Sequence, residues 1–209
     1  IIKHSCSCRA SVPSTHTPSF SVDDSAQFMP INDLVKITQK PEGFVIIGGG
    51  KTGIDACLWL LENKVSPDDI QWIMPRDAWL IDRKNTQPTP EFFTDAIGAQ
   101  AAQMEAIAQS TSVDDMFSRL EKAGVFLRLD ENVWPQMFHG ATVSQLELAE
   151  LKRIKNVVRM GSVTHVGQNS IQLEQGEIKT SSQHIHVDCS ASAITNLEVK
   201  PIFDGNTIT

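Results

Sequence analysis

The sequence predicts an α/β protein built on a Rossmann-like parallel sheet, with helices on both faces and a small antiparallel meander. Three observations support that class. A wholly apolar, largely β-branched run, FVII at 44–47, indicates a strand buried on both faces. A glycine turn and an amphipathic segment follow it directly, as in a strand–turn–helix unit. In the last third, apolar and polar residues alternate between turn-forming groups, which is typical of a meander.

The elements can be assigned in chain order. Residues 1–41 are rich in Ser, Thr and Pro and predict loops with one or two short strands. The strand at 44–47, the helix after it and the apolar run IQWIM at 70–74 form one βαβ unit, because residues 67–69 break the chain before that run. The same patterns predict a polar loop at 77–90, helices at 91–110, 112–124 and 144–151, a strand at 125–129, meander strands at 156–160, 162–166 and 170–174, and a returning strand at 184–188.

Composition narrows the function classes. The chain has 209 residues, of which 41% are apolar and 21% charged, and this suits a globular domain with a real core. A net charge of -7 has the wrong sign for clamping a phosphate backbone, so we expect no nucleic-acid partner. No apolar run approaches the roughly 20 residues that cross a bilayer, and the first twelve residues lack a secretory signal. We therefore expect a cytoplasmic protein with no membrane partner.

The motif that carries chemistry is Gly48-Gly49-Gly50-Lys51-Thr52-Gly53, which satisfies G-x-G-x-x-G between a strand and a helix. In such a turn Gly48 permits the tight bend, Gly50 lets the backbone approach a pyrophosphate, and Gly53 lets helix and strand pack closely. The helix N-terminus then offers N–H groups to the anion. The motif predicts a dinucleotide site.

The G-K-T ending at residues 50–52 also suggests a triphosphate P-loop, but the spacing excludes one. A P-loop needs a glycine five positions before Gly50, where this chain has Val45 inside the buried strand. Two interpretations of Lys51 remain open: it is a cation beside the cofactor phosphates, or it is simply exposed to solvent.

The choice between NADP and NAD depends on the residues that follow the second strand. Arg76 comes first and can grip a 2'-phosphate through two hydrogen bonds, which favours NADP. Asp77 could instead pair with Arg76 or bind a ribose, so NAD remains the alternative. Arg83, on the predicted loop, could add a second cation.

The other candidates carry less information. His139 lies in a predicted loop beside small residues, and His184 and His186 share one face of a strand without a third ligand. Cys6 and Cys8 form one C-x-C pair that no second pair completes, so we expect no metal site. No catalytic residue can be identified from spacing alone.

These motifs resemble the flavoproteins with two dinucleotide-binding domains, the FAD- and NAD(P)-dependent oxidoreductases that include flavin-containing monooxygenase-like and pyridine nucleotide-disulfide oxidoreductase-like enzymes. The resemblance rests on FVIIGGGKTGIDACLWLLENKV at 44–65, on IQWIMPRDAWLIDR at 70–83, and on the meander followed by HIHVDCSASA at 184–193. The family's A-T-G-like return turn is only partly matched, because residues 189–193 lack its Thr-Gly. The absence of a C-x-x-C or C-x-x-x-x-C pair favours the monooxygenase-like branch.

The resemblance implies an NAD(P)-binding Rossmann domain at 42–188 with a helical insertion at about 84–152. Residues 1–41 would be a partial flank of an FAD-binding domain, and 189–209 a segment that returns to it. The implied activity is delivery of hydride from the nicotinamide of NADP, or of NAD, to FAD held by the full-length protein. A small molecule would be the final substrate.

The family's second glycine fingerprint, which holds FAD, does not occur before Gly48. The chain also opens at Ile1 and ends at Thr209 in mid-pattern. We therefore expect either a fragment of a longer flavoprotein, with the rest of the flavin domain as its partner, or a truncated relative. The alternative function is a non-catalytic nucleotide-binding module, a sensor or interaction module without its own flavin.

Overall fold

The computed structural model describes residues 12–192, 203–204 and 207–208. The helices are α1 (Lys51–Glu62), α2 (Phe93–Gln109), α3 (Val113–Lys122) and α4 (Gln145–Leu151). The strands are β1 (Ser21–Val22), β2 (Phe28–Pro30), β3 (Gly43–Ile47), β4 (Ile70–Ile73), β5 (Ala78–Asp82), β6 (Phe126–Leu127), β7 (Met137–Val143), β8 (Val157–Val158), β9 (Val163–Val166), β10 (Ser170–Leu173), β11 (Gly176–Lys179), β12 (His184–Asp188), β13 (Phe203–Asp204) and β14 (Thr207–Ile208). Short 3-10 turns connect several of them.

The main sheet is wholly parallel, with the strand order β2–β12–β3–β4–β8. All of β3 is buried, as its apolar sequence predicts. Helix α1 leads from β3 to its neighbour β4, so the predicted βαβ unit is confirmed. Because β12 lies on the other side of β3, the strand order reverses there, and ligands of open α/β sheets bind outside the carboxyl ends at such a point.

The two faces of this sheet have different coverings. Alternate residues of β3, Phe44 and Ile46, pack with the apolar side of α1 and with Leu148 and Leu151 of α4. The intervening residues of β3 face the second sheet, whose strand order is β1–β9–β10–β11. The predicted α/β class with its antiparallel meander is therefore confirmed. Helices cover one face in the described chain, and the meander takes the place expected of helices on the other.

A separate three-stranded sheet has the order β6–β5–β7. Strands β6 and β7 lie within the predicted insertion at about 84–152, whereas β5 lies just before it. Helices α2 and α3 pack on this sheet around Trp79 of β5, which is 2% exposed, and around Phe126 of β6. We refer to residues 78–151 as the inserted subdomain. It contains both α-helices and β-strands, whereas the sequence predicts a mainly helical insertion.

Three element predictions require correction. The segment 77–90 is not simply a polar loop: residues 78–82 form the buried strand β5, and 3-10 turns follow. The run at 156–160 supplies β8, which pairs in parallel with β4 and belongs to the main sheet rather than the meander. The meander instead gains β11, where the short EIK run is too polar to stand out.

The segment before residue 42 contributes to both large sheets. Strand β1 pairs with β9, and β2 extends the main sheet beyond β12. Phe20 and Leu34 are buried in the cores on the two faces of that sheet. No helix among the described residues is long and apolar enough to cross a membrane.

Candidate functional site

The glycine turn lies at the carboxyl end of β3, where the strand order reverses. The Gly48 N–H donates to the carbonyl of Ile73 at 3.0 Å, and the indole Nε1–H of Trp72 donates to the Gly48 carbonyl at 2.9 Å. Trp72 is 1% exposed and belongs to β4. The turn is therefore held on the neighbouring strand by both backbone and side chain.

The three fingerprint glycines are required for different reasons. Gly48 has a φ of +133°, and a Cβ at this position would lie 2.5 Å from the carbonyl oxygen of Cys189. A Cβ on Gly53 would collide with the Gly48 carbonyl oxygen, so Gly53 permits the close packing of α1 on the turn. Gly50 differs from both, because no atom lies within 4 Å of the place its Cβ would take. The space beside Gly50 is open to a ligand.

Helix α1 presents its N-terminus to that space. Gly50 is the N-cap residue and supplies no side-chain cap, and the first turn contains no acidic residue. Its first N–H groups and the positive end of the helix dipole are thus available to an anion. Lys51 forms an ion pair with Asp55 one turn along and is partly exposed, while Thr52 is half-buried beside it.

A cleft of about 560 Å³ opens at the same edge of the sheet, beyond the end of β4. Its lining comes from three parts of the fold: Pro75, Arg76 and Asp77 after β4; Arg159, Gly161, Ser162, Glu174 and Gln175 around the meander; and Val133, Trp134 and Gln136 from the inserted subdomain. Arg76 is exposed in this cleft and, among the described residues, has neither a hydrogen bond nor an ion pair. The carbonyl oxygen of Arg76 would lie 3.5 Å from a Cβ on Gly49, so cleft and turn are adjacent.

The structure gives Asp77 a partner that the sequence did not indicate. Both of its carboxylate oxygens accept hydrogen bonds from Arg159, at 2.6 and 3.0 Å, and Asp77 is 4% exposed. This contact raises the pKa of the Arg159 guanidinium, chiefly through the hydrogen bond. Asp77 therefore pairs with Arg159 rather than with Arg76.

Arg83 forms a salt bridge within the inserted subdomain. Its guanidinium donates to both carboxylate oxygens of Glu147, at 2.8 and 3.0 Å, and contacts the carbonyl of Thr142. Glu147 is part of the cap of α4. Arg83 therefore holds that helix, and it does not line the cleft next to the glycine turn.

The candidate histidines lie in strands. His139 lies in the strand β7, not in a loop, and is exposed. His186 is fully buried in β12, with Nδ1 3.0 Å from the Gln27 carbonyl and Nε2 2.8 Å from the Thr180 hydroxyl. No cluster of metal-binding side chains occurs within residues 12–192. Cys6, Cys8 and Ala193 lie outside the described residues.

The carboxyl end of β12 completes the edge on the other side of the turn. Asp188 is buried, and one of its carboxylate oxygens accepts hydrogen bonds from the backbone N–H and hydroxyl of Ser190, at 2.9 and 2.6 Å. Burial, followed by the charges of Asp188 and Asp55, raises the pKa of the Cys189 thiol to about 12. Burial raises the pKa of Cys57 as well. Both thiols stay protonated near neutral pH, so neither supplies a ready nucleophile at the turn.

Sequence reasoning missed the contributions of Trp134, Gln136 and Arg159 to this edge. Arg159 follows a two-residue strand that reads as part of the meander, and the loop at 133–136 belongs to an insertion. No sequence signal pointed to Arg159, because the burial of Asp77, which requires a cationic partner, becomes apparent only in the folded structure. The identity of that partner depends on the parallel pairing of β8 with β4.

Comparison with known proteins identifies relatives without a described activity. This chain is 43% identical over 201 residues to an uncharacterized protein of Mycobacterium tuberculosis, Rv2000, and equally to the uncharacterized proteins MT2056 of M. tuberculosis and Mb2023 of Mycobacterium bovis. The match covers 96% of this chain but 37% of each relative, so the chain spans little more than a third of their length. No family model and no solved structure matches the chain.

Proposed function

We propose that this chain is the NAD(P)H-binding portion of an FAD-dependent oxidoreductase, with NADP as the preferred dinucleotide. The observation that carries the proposal is the contrast among the three glycines of the fingerprint, Gly48, Gly50 and Gly53. At Gly48 and Gly53 any side chain would collide with backbone atoms of the protein, whereas the Gly50 position faces open space. The open position at Gly50 leaves room for a pyrophosphate to approach the backbone of the turn.

The proposed site binds the pyrophosphate through α1. The backbone N–H groups of Gly50 and Lys51 point out of the first turn of the helix, where no side chain of the cap competes with an anion. Lys51 adds a positive charge, although Asp55 offsets part of it. Thr52 offers a hydroxyl in the same turn.

Arg76 would select NADP over NAD. It follows β4, the strand whose end contacts the ribose in dinucleotide-binding units, and no acidic side chain of the described residues neutralises it. A guanidinium in this position can make two hydrogen bonds to a 2'-phosphate. Asp77 cannot easily take the ribose role, since Arg159 occupies its carboxylate.

When bound, the nicotinamide would supply a hydride and the flavin would accept it. The chain's own residues bind and orient the dinucleotide at the carboxyl edge of the sheet. The flavin would be held by another part of a longer protein, and the length of the mycobacterial relatives beyond the matched region provides room for such a part.

A non-catalytic nucleotide-binding module is the second candidate. It is favoured by the chemistry beside the turn, where both described thiols are buried and protonated and the carboxylate of Asp188 accepts hydrogen bonds from Ser190. The two candidates differ in one measurement on a full-length relative. A flavin that copurifies with the relative and is reduced by NADPH supports the oxidoreductase. Nucleotide binding without a bound flavin and without NADPH oxidation supports the non-catalytic module.

The proposed site is tested by isothermal titration calorimetry with NADPH on the wild type, Gly50→Ala and Gly98→Ala. Both substitutions place a methyl group in open space, but only Gly50 lies in the turn. We expect Gly50→Ala to weaken NADPH binding at least about tenfold, because the methyl group occupies the ligand's path. Gly98→Ala, in the middle of α2, should leave the affinity unchanged and stabilise the fold by up to about 1 kcal/mol.

The proposal is wrong if the wild type binds neither NADPH nor NADH. It is also wrong if both glycine variants bind NADPH as the wild type does, because the ligand would then lie elsewhere. Thermal unfolding of each variant shows whether the fold is retained.

A further inference from the structure

One wall of the cleft, formed by Val133, Trp134 and Gln136, belongs to the inserted subdomain and is tied to the main sheet. The backbone N–H groups of Gln136 and Met137 both donate to the carbonyl of Asp77, at 3.0 and 3.2 Å. Arg159, which holds the Asp77 carboxylate, also reaches Asp130 at 3.6 Å. The loop before β7 is therefore fixed against the end of β4, and the cleft between them has a defined width.

Trp134 is the large side chain of this wall, and contacts on several sides hold it in place. Its ring meets Trp79 edge to face, with centroids 5.1 Å apart, and the Arg128 guanidinium lies 5.5 Å from its centroid. Its Nε1–H donates to Asp114 at 3.2 Å. Even so, Trp134 is 40% exposed and lines the cleft. A fixed and partly exposed indole offers an aromatic surface at little conformational cost.

The polar groups of the cleft suit an uncharged heterocycle next to one phosphate. Glu174 already accepts the Ser162 N–H, at 2.8 Å, and Arg159 is neutralised by Asp77. Gln136 is exposed in the lining, and its side chain has no hydrogen-bond partner among the described residues. Its amide can both donate and accept, as the edge of a purine requires. Arg76 remains as the cation without an acidic partner.

We propose that Trp134 and Gln136 bind the adenine base of the dinucleotide, so that the inserted subdomain forms part of the cofactor site. This inference rests on the proposed function and extends it from the glycine turn to the opposite wall of the cleft. The indole packs against the base, Gln136 contacts its polar edge, and Arg76 holds the 2'-phosphate between the cleft and the turn. The insertion thus contributes to affinity for the adenosine half alone.

The test uses two halves of the ligand, 2',5'-ADP and reduced nicotinamide mononucleotide, besides NADPH itself. Calorimetry is run on the wild type, Trp134→Ala, Trp134→Phe, Gln136→Ala and Phe138→Ala. Phe138 is the matched control, since it is an exposed aromatic residue of the same subdomain that does not line the cleft. We expect Trp134→Ala to weaken the binding of 2',5'-ADP and of NADPH about tenfold and to leave the affinity for reduced nicotinamide mononucleotide unchanged.

Trp134→Phe should retain most of the wild-type affinity for 2',5'-ADP. Gln136→Ala should bind 2',5'-ADP several-fold more weakly, and Phe138→Ala should bind it as the wild type does. If Trp134→Ala does not fold, 2',5'-ADP should still change the tryptophan emission of the wild type and not that of Trp134→Phe. Unchanged 2',5'-ADP affinity in Gln136→Ala and in a folded Trp134→Ala overturns the adenine assignment while leaving NADPH binding at the turn intact. The adenine assignment is equally overturned if Trp134→Ala does not fold and the emission response survives in Trp134→Phe. A wild type that binds no dinucleotide overturns the proposed function itself.

Discussion

In the proposed site, selectivity between NADP and NAD would depend on Arg76. It lies three residues beyond the end of β4, is exposed in the cleft, and has no acidic partner among the described residues. Its neighbour Asp77 shares the same sheet end but is buried against Arg159. A 2'-phosphate would therefore meet a positive charge at this position rather than a carboxylate.

Replacing Arg76 should remove the preference for NADPH. A hydrogen bond to a charged group contributes about 1.5–3 kcal/mol, so we expect Arg76→Ala to weaken NADPH binding by about 10- to 100-fold. NADH affinity should stay the same, because NADH has no 2'-phosphate. Arg153→Ala is the control, since Arg153 pairs with Glu150 on α4 and does not line the cleft. A preference for NADPH that persists in Arg76→Ala would contradict this role.

His186 makes stability depend on pH. Burial lowers its pKa below the ordinary value of 6.5, with a smaller contribution from His184, while the contact with the Gln27 carbonyl opposes the shift. The unfolded chain therefore binds a proton more readily than the folded one. The contribution of neutral His186 to the free energy of unfolding is fully present above pH 6.5 and is lost as the pH falls through the folded-state pKa.

Urea unfolding between about pH 7 and pH 5 should show this loss in the wild type. In His186→Asn the slope of the unfolding free energy against pH should be smaller, even though the variant is less stable overall. Equal slopes in the wild type and His186→Asn would refute the assignment.

Residue-level prediction from sequence succeeded where the chemistry is local. The places of Gly48 and Gly50 in the turn and of Gly53 at the start of α1 follow from spacing, since the motif joins a strand directly to a helix. The partners of Asp77 and Arg83 did not follow, because Arg159 and Glu147 lie 82 and 64 residues away. Long-range ion pairs depend on which strands become neighbours.

Among the elements, α4 shows how a short helix is stabilised in this fold. Ser144 and Glu147 form the predicted capping box, with the Ser144 hydroxyl accepting from the Glu147 N–H at 3.1 Å. Although burial opposes it, the pKa of Glu147 lies below its ordinary value, because the Ser144 N–H and Arg83 donate to the carboxylate. The cap thus links the helix to β5 through Arg83.

Removing the cap should destabilise the fold measurably. We expect Ser144→Ala to lower the free energy of unfolding by about 1 kcal/mol, because the Glu147 N–H loses its partner. Ser118→Ala is the control: Ser118 lies within α3 and makes no side-chain hydrogen bond among the described residues, so alanine should be neutral or slightly stabilising. Chemical denaturation of both variants measures the difference, and equal stabilities would contradict the role of the cap.

Helix α2 shows what periodicity alone leaves open. The sequence predicts a helix at 91–110, and the structure forms one at Phe93–Gln109. Its buried residues are the small Ala99 and Ala106, while the larger apolar side chains Phe93, Ile97, Met104 and Ile107 are exposed. Small residues allow α2 to pack closely on the core around Trp79. A pattern of apolar residues identifies the helix but not which face turns inward.

For the whole molecule, the strand order determines where the site can be. The βαβ unit was predictable because its parts are adjacent in sequence. The insertion of 78–151 between β4 and β8 is visible only as a long interval, and its position over the end of β4 requires the contacts of Asp77. These contacts bring the glycine turn, Arg76 and the loop at 133–136 to one edge of the sheet.

The central claim is that a dinucleotide binds at this edge, and NMR spectroscopy of the 23.0 kDa chain tests it most directly. Adding NADPH to the isotopically labelled protein should shift the amide resonances of Gly48, Gly50 and Lys51 and the Nε1–H resonance of Trp134. The amides of residues 64–66, which follow the carboxyl end of α1 at the opposite edge of the sheet, should not move. Saturating NADPH that leaves the turn resonances unchanged, or shifts only those of another surface, would contradict the account.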